Sequence, residues 1–104
     1  MEVKEFIELI APIAVKDWKE RKNVLPSLTI AQCIKESGHG TSELATKANA
    51  LCGIKAGNNW TGATYTKVSK EWENGKYVDK KSTFRAYTSW GESVVDHNSY
   101  IAEQ

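Results

Sequence analysis

Glu36 is the residue with the clearest chemistry to offer. It stands near the end of Ile30-Ala-Gln-Cys-Ile-Lys-Glu-Ser-Gly-His-Gly40. Ile30, Ala31 and Ile34 recur there at helical spacing, and Gly38 and Gly40 are of the type that closes a helix in a left-handed turn. The spacing predicts a helix whose last turn carries Glu36 away from its apolar face, with Gln32 one turn earlier on the same side. A carboxyl at a helix C-terminus faces the negative end of the macrodipole, which disfavours ionisation. A general acid needs that, because its proton must still be present when the substrate arrives. The plain alternative is a solvated glutamate in a final turn, the commoner lot of such residues.

Hydrolysis of a glycosidic bond is the chemistry that two carboxyl groups across a cleft would serve. One gives a proton, and the other handles water or the cation. Glu71 is the second candidate, at a strand end just before Asn74-Gly75; Glu73 competes from the same turn and Asp79 from the returning strand. Spacing does not choose among them, and hairpin acids also serve simply as solubilising charges.

The elements that must position these groups can be read in order. Val3, Phe6, Ile7, Ile10, Ala14, Val15 and Trp18 mark a helical stripe, with Pro12 predicting a kink or a second helix that starts there. Pro26-Ser27 opens the Glu36 helix, with Ser27 as its expected cap. Thr41–Ala48 reads as a short helix or turn, Asn49–Lys55 as an apolar run, and Gly57–Gly62 as a loop. Tyr65–Trp72 reads as a strand, Asn74-Gly75 as a hairpin turn, and Lys76–Val78 as the return. Phe84–Tyr87 alternates apolar and polar, and helical periodicity resumes from Trp90 through Val94, Val95 and Ile101. The sum is an α+β domain, a helical body with one small hairpin lobe.

Bulk properties remove several function classes. The 104 residues suit one domain with a single modest core. Fourteen basic side chains against thirteen acidic ones leave a formal net charge of +1, so no basic surface for nucleic acid or membrane is expected. No apolar stretch approaches the roughly 20 residues that span a bilayer, and the N-terminus does not read as a signal peptide. His39 and His97 lack partners at metal-ligand spacing, so neither a metal nor a cofactor is expected. Cys33 and Cys52 both fall in apolar runs and read as buried thiols rather than a bridge. Four Trp and four Tyr suit a cleft that stacks on flat ligands and suit a small core equally well.

Taken together, six blocks resemble the bacterial N-acetylglucosaminidase domain of glycoside hydrolase family 73, which includes autolysins, phage lysins and the flagellar peptidoglycan hydrolase. They are Ser27–Gly40, Asn49–Lys55, Trp60-Thr-Gly62, Glu71-Trp-Glu-Asn-Gly75, Phe84-Arg-Ala-Tyr-Thr-Ser89 and Ser93 through Asp96, in order along nearly the whole chain. The resemblance implies a lysozyme-like fold and cleavage of the β-1,4 bond after N-acetylglucosamine in peptidoglycan. It puts the general acid on Glu36, a second acid on Glu71 of a mobile hairpin, and a cleft-lining tyrosine on Tyr87. Trp60 then belongs to the sugar-binding wall, Trp72 is a stacking candidate with a core role equally open, and Gln32 and His39 are candidates for contacts in or beside the cleft. Muramidase, lytic transglycosylase and non-catalytic peptidoglycan-binding readings compete.

The resemblance also implies action on glycan strands in a bacterial cell wall, by autolysis or phage delivery, and a monomer is expected. There are departures. Many relatives carry tryptophan where His39 stands, and Asn and Phe where Ala50 and Cys52 stand. Family domains usually continue through more helix, so the chain reads as a fragment of a larger hydrolase or as a trimmed fold.

Overall fold

The computed structural model describes residues 1–103. Helix α1 runs unbroken over Val3–Arg21 and buries Phe6, Ile10, Ala14 and Asp17, a stripe at the three- and four-residue spacing of one helix face. Pro12 neither stops it nor starts a second helix. It lies on the exposed side, where water can satisfy the carbonyl that the missing N–H abandons. Helix α2, Pro26–Ser37, begins from Leu25, whose side chain makes no capping bond. Ser27 is therefore not the cap. Pro26 already fills the first turn with a fixed φ and no amide hydrogen to satisfy, which leaves Ser27 inside the helix.

The turn after α2 is built as its glycines predict. Gly38, His39 and Gly40 all adopt positive φ, at 56°, 43° and 85°. Buried Ser37 ties the turn down: its hydroxyl donates to the Cys33 carbonyl at 2.5 Å and accepts from the Gly40 amide at 2.9 Å. A Cβ at Gly40 would stand 2.5 Å from the Trp90 ring and 3.1 Å from Phe6, so this backbone is pressed into the core.

Helix α3, Glu43–Lys47, is capped by Ser42, and helix α4, Trp90–Ala102, by Ser89, whose hydroxyls accept from the Ala45 and Glu92 amides. Strands β1, Thr64–Glu73, and β2, Lys76–Arg85, form an antiparallel ladder closed by Asn74-Gly75, with φ of 50° and 80° as a two-residue turn of this kind needs. The return strand continues through Phe84 and Arg85 rather than stopping at Val78, because the ladder keeps register from Glu73↔Lys76 to Thr64↔Arg85.

Phe6, Ile10, Cys33, Ala45, Leu51, Cys52 and Val94 form the core between α1, α2, α4 and the run after α3. Each large side chain so buried contributes about 1.5–3 kcal/mol. Cys33 and Cys52 are free thiols, both buried. A buried polar network pins the three long helices together. Asn98 of α4 donates to Asp17 of α1 at 3.0 Å, and the Thr29 hydroxyl of α2 donates to the Asn98 oxygen at 3.2 Å. Arg21 closes it by donating to Asp17 at 2.8 Å and to the Val95 carbonyl at 2.9 Å.

Candidate active site

Glu36 stands exposed in the last turn of α2, on the rim of a cavity of about 370 Å³. Cys52, Gly53 and Ile54 form one wall, and His97, Tyr100 and Ile101 of α4 the other. Among the described residues Glu36 is the one carboxylate in this lining, so a group entering the cavity meets a single acid against largely apolar walls. Gln32, half-buried, lies one turn earlier in α2, and its enclosed amide oxygen has no hydrogen-bond partner among the described residues. An acceptor left this way is ready for a ligand N–H or O–H.

The hairpin separates its three acids. Asp79 is paired with Lys70 at 2.8 Å and Glu73 with Lys80 at 2.8 Å. Glu71, opposite Val78 in the ladder, is exposed, and its side chain makes no hydrogen bond or ion pair among the described residues. It shares a face with Glu73, Tyr65 and Phe84, while Trp72 points to the other face. Trp72 is 63 % exposed and meets Tyr77 edge-on, with ring centroids 4.9 Å apart, and that exposure removes the core role for this ring. No bond joins Glu36 to Glu71 among the described residues.

Tyr87 and Trp60 line a larger groove of about 820 Å³ between α1 and α4, and among the described residues none lines both this groove and the Glu36 cavity. The Tyr87 ring meets Trp60 edge-on at 5.8 Å. Burial pushes the Tyr87 hydroxyl well above the usual tyrosine range, and its bond to Asp96 adds to that. Trp60 is fixed by donating from Nε1 to the Ala63 carbonyl at 2.8 Å and by resting over Gly62. Half-buried His39 holds the turn after α2 and does not line the Glu36 cavity.

Arg85 touches rings from both concavities. Its guanidinium lies 4.7 Å from the Trp60 ring centre on the groove side and 5.4 Å from that of Tyr100, which lines the cavity. Asp96 holds it there, 3.1 Å from Arg85 Nη1. Arg85, Asp96, His97 and Tyr100 line or border these two concavities, and reading the sequence did not single them out as candidates. Phe84–Ser89 and Ser93–Asp96 stood out as blocks, but no spacing rule says that β2 and α4 meet.

The sequence signature described as mannosyl-glycoprotein endo-beta-N-acetylglucosaminidase matches residues 12–104. The chain belongs to this glucosaminidase family. It is 47% identical over 78 residues to the exo-glucosaminidase LytG of Bacillus subtilis, covering 75% of this chain and 27% of that protein. It is 37% identical over 97 residues to a probable N-acetylmuramidase of Lactococcus lactis, covering 92% of this chain and 21% of that one. The glucosaminidase domain thus spans about a quarter of the length of these curated relatives. The catalytic domain of the autolysin Auto from Listeria monocytogenes superposes with a TM-score of 0.78 at 31% identity, over 93% of this chain and 54% of that one. The helical body with its antiparallel hairpin is accordingly a lysozyme-like peptidoglycan hydrolase fold.

Proposed function

We propose that this domain hydrolyses peptidoglycan glycan strands at the β-1,4 bond that follows N-acetylglucosamine, as an endo-β-N-acetylglucosaminidase. The observation that carries the reading is Glu36, a lone carboxyl at a helix end on the rim of a largely apolar cavity, in a chain of the glucosaminidase family. Glu36 gives its proton to the glycosidic oxygen, the C–O bond breaks, and positive charge builds on the sugar ring. Glu71, the unpaired hairpin carboxylate, stabilises that charge or takes a proton from the incoming water. A route in which the substrate's own acetamido group attacks leaves Glu71 a supporting part. Gln32 meets the substrate beside Glu36, and Trp60, Trp72 and His39 are the remaining substrate-binding candidates. The domain acts as a monomer on the bacterial cell wall.

A muramidase is the second reading, favoured by the Lactococcus relative's description and by nothing in the cavity that selects between the two linkages. Digestion of purified peptidoglycan, borohydride reduction and mass spectrometry of the new ends decide between them. Reduced N-acetylglucosamine from the wild type, absent with Glu36→Gln, supports the glucosaminidase. Reduced N-acetylmuramic acid moves the cut to the other bond. Ends in 1,6-anhydro form indicate a lytic transglycosylase, and a folded wild-type chain that binds peptidoglycan and releases no product is a binding module.

A further inference from the structure

The rings of Trp72 and Tyr77 stand opposite one another beside the Asn74-Gly75 turn, 63 % and 68 % exposed. A Cβ placed on Gly75 would meet nothing within 4 Å, so this end of the hairpin projects into open space. The rings meet edge to face, which leaves a broad ring face open to solvent. Neither ring lines the Glu36 cavity or the groove of Trp60 and Tyr87. A cross-strand aromatic pair steadies a hairpin by itself, but that role explains neither the exposure nor the charge around it. Six basic and three acidic side chains lie from Thr64 to Arg85, in a chain whose net charge is only +1. Lys70 and Lys80 are engaged by Asp79 and Glu73, whereas the side chains of Lys67, Lys76 and Lys81 make no ion pair among the described residues.

The two sides of the ladder differ in what they meet. On the Glu71 side, Tyr65 donates to Glu43 at 2.7 Å, and the Phe84 ring packs over Gly53 of the cavity wall. On the Trp72 side, the rows run from Trp72 and Tyr77 through the Lys70–Asp79 pair, Val68 and Lys81 to Arg85, whose guanidinium rests over Trp60. That side spans eight residues of β1, about 26 Å, and ends beside a ring that lines the groove.

We propose that the Trp72 side of the hairpin is a second peptidoglycan-binding surface, apart from the Glu36 cavity: a pyranose ring of a glycan strand stacks on Trp72 with Tyr77 beside it, and the unpaired lysines of the hairpin meet carboxylates of the stem peptides. A sugar suits a flat indole because the faces of its ring carry axial C–H groups while its hydroxyls point outward to water. Carboxylates suit a hairpin with surplus positive charge. The proposal takes its ligand from the reading of the domain as a peptidoglycan hydrolase and is independent of which bond is cut. A strand gripped at the tip keeps its neighbouring bonds at high local concentration near the cavity.

The first test is NMR on Glu36→Gln, chosen so that strands stay whole, with soluble glycan strands bearing stem peptides as the probe. The indole N–H signal of Trp72, assigned by its loss in Trp72→Phe, moves saturably as strands are added. A Trp72 signal that stays fixed overturns the proposal, whether or not another tryptophan signal moves. A signal that answers to protein concentration and not to strands makes a second copy of the chain the occupant. One that answers to phosphatidylglycerol vesicles and not to strands makes the occupant a membrane. Either result overturns the proposal as well.

The second test is co-sedimentation with insoluble peptidoglycan. Trp72→Ala combined with Tyr77→Ala weakens binding about tenfold. Trp72→Phe weakens it less, and stripping the stem peptides with an amidase removes most of the salt dependence. Unchanged binding by the double variant overturns the proposal. Where that variant loses its hairpin, the NMR titration of the intact rings decides. If the Trp72 signal moves while the wild type releases no reducing ends, the surface stands and the hydrolase reading falls. If ends are released while the signal stays fixed, the surface alone falls.

Discussion

The Tyr87 hydroxyl donates to Asp96 Oδ2 at 2.6 Å, and the same carboxylate receives Arg85 Nη1 at 3.1 and 3.2 Å. Tyr87 is therefore held as a donor whose one hydrogen is already engaged. Burial together with Asp96 keeps it from ionising. In alkaline titration followed by tyrosinate absorbance, Tyr87→Phe removes no transition below about pH 11, because Tyr87 has none there to lose. A Tyr87 that ionises with ordinary tyrosines would contradict this arrangement.

The acids differ in what they have to lose. Glu36→Gln lowers the rate of glycan cleavage by at least about 100-fold, the usual contribution of a positioned general acid. Glu71→Gln lowers it as well if the hairpin carboxylate serves the cation or the water, and near wild-type turnover removes it from any essential role. Glu73→Gln breaks only the half-exposed pair with Lys80 and costs less than about 1 kcal/mol, with turnover retained. Rates and denaturation midpoints of the three variants sort them.

Gly40→Ala destabilises the fold by about 2 kcal/mol or more. The added methyl must adopt φ of 85° and enter the space of the Trp90 ring. Urea unfolding of the two chains measures the difference, and a loss under about 0.5 kcal/mol would show that Trp90 moves aside freely.

His97 makes stability depend on pH. Its ring holds a proton more tightly folded than unfolded: burial opposes the charge, and the Asn98 oxygen and the Glu36 carboxylate favour it. A raised folded value means the contribution is complete below the unfolded value of about 6.5 and is lost as pH rises through the folded one. The gap in melting temperature between wild type and His97→Gln is thus wider at about pH 5.5 than at about pH 8. A gap that widens with pH instead would reverse the sign.

Much of this molecule was legible before folding. Helical stripes such as Phe6–Ile10–Ala14, the Gly38 stop and the Asn74-Gly75 turn are local features, and local physics builds them as written. The place of Glu36 in the last turn of α2 followed from the same kind of reasoning. Pro12 and Ser27 show where local rules yield: tertiary packing carries α1 past its proline, and Pro26 takes the helix start that Ser27 could have capped. The family resemblance set Tyr87 and Trp60 along the cleft, and Arg85 lies over both the Trp60 and the Tyr100 rings. That contact needs β2 and α4 to meet in space, which no periodicity in either segment expresses. Nor does the sequence show that Asn98 finds Asp17.

That last bond, between residues 81 positions apart, joins nearly the first helix of the chain to the last. Phe6 and Val94 repeat the arrangement in the core. During synthesis α1 can pack on α2 and the run after α3 as they emerge, but its contacts with Val94 and Asn98 wait until α4 has left the ribosome. Such a domain completes its order late, and a nascent chain stopped before Trp90 leaves the α4 side of the α1 stripe open to chaperones and proteases.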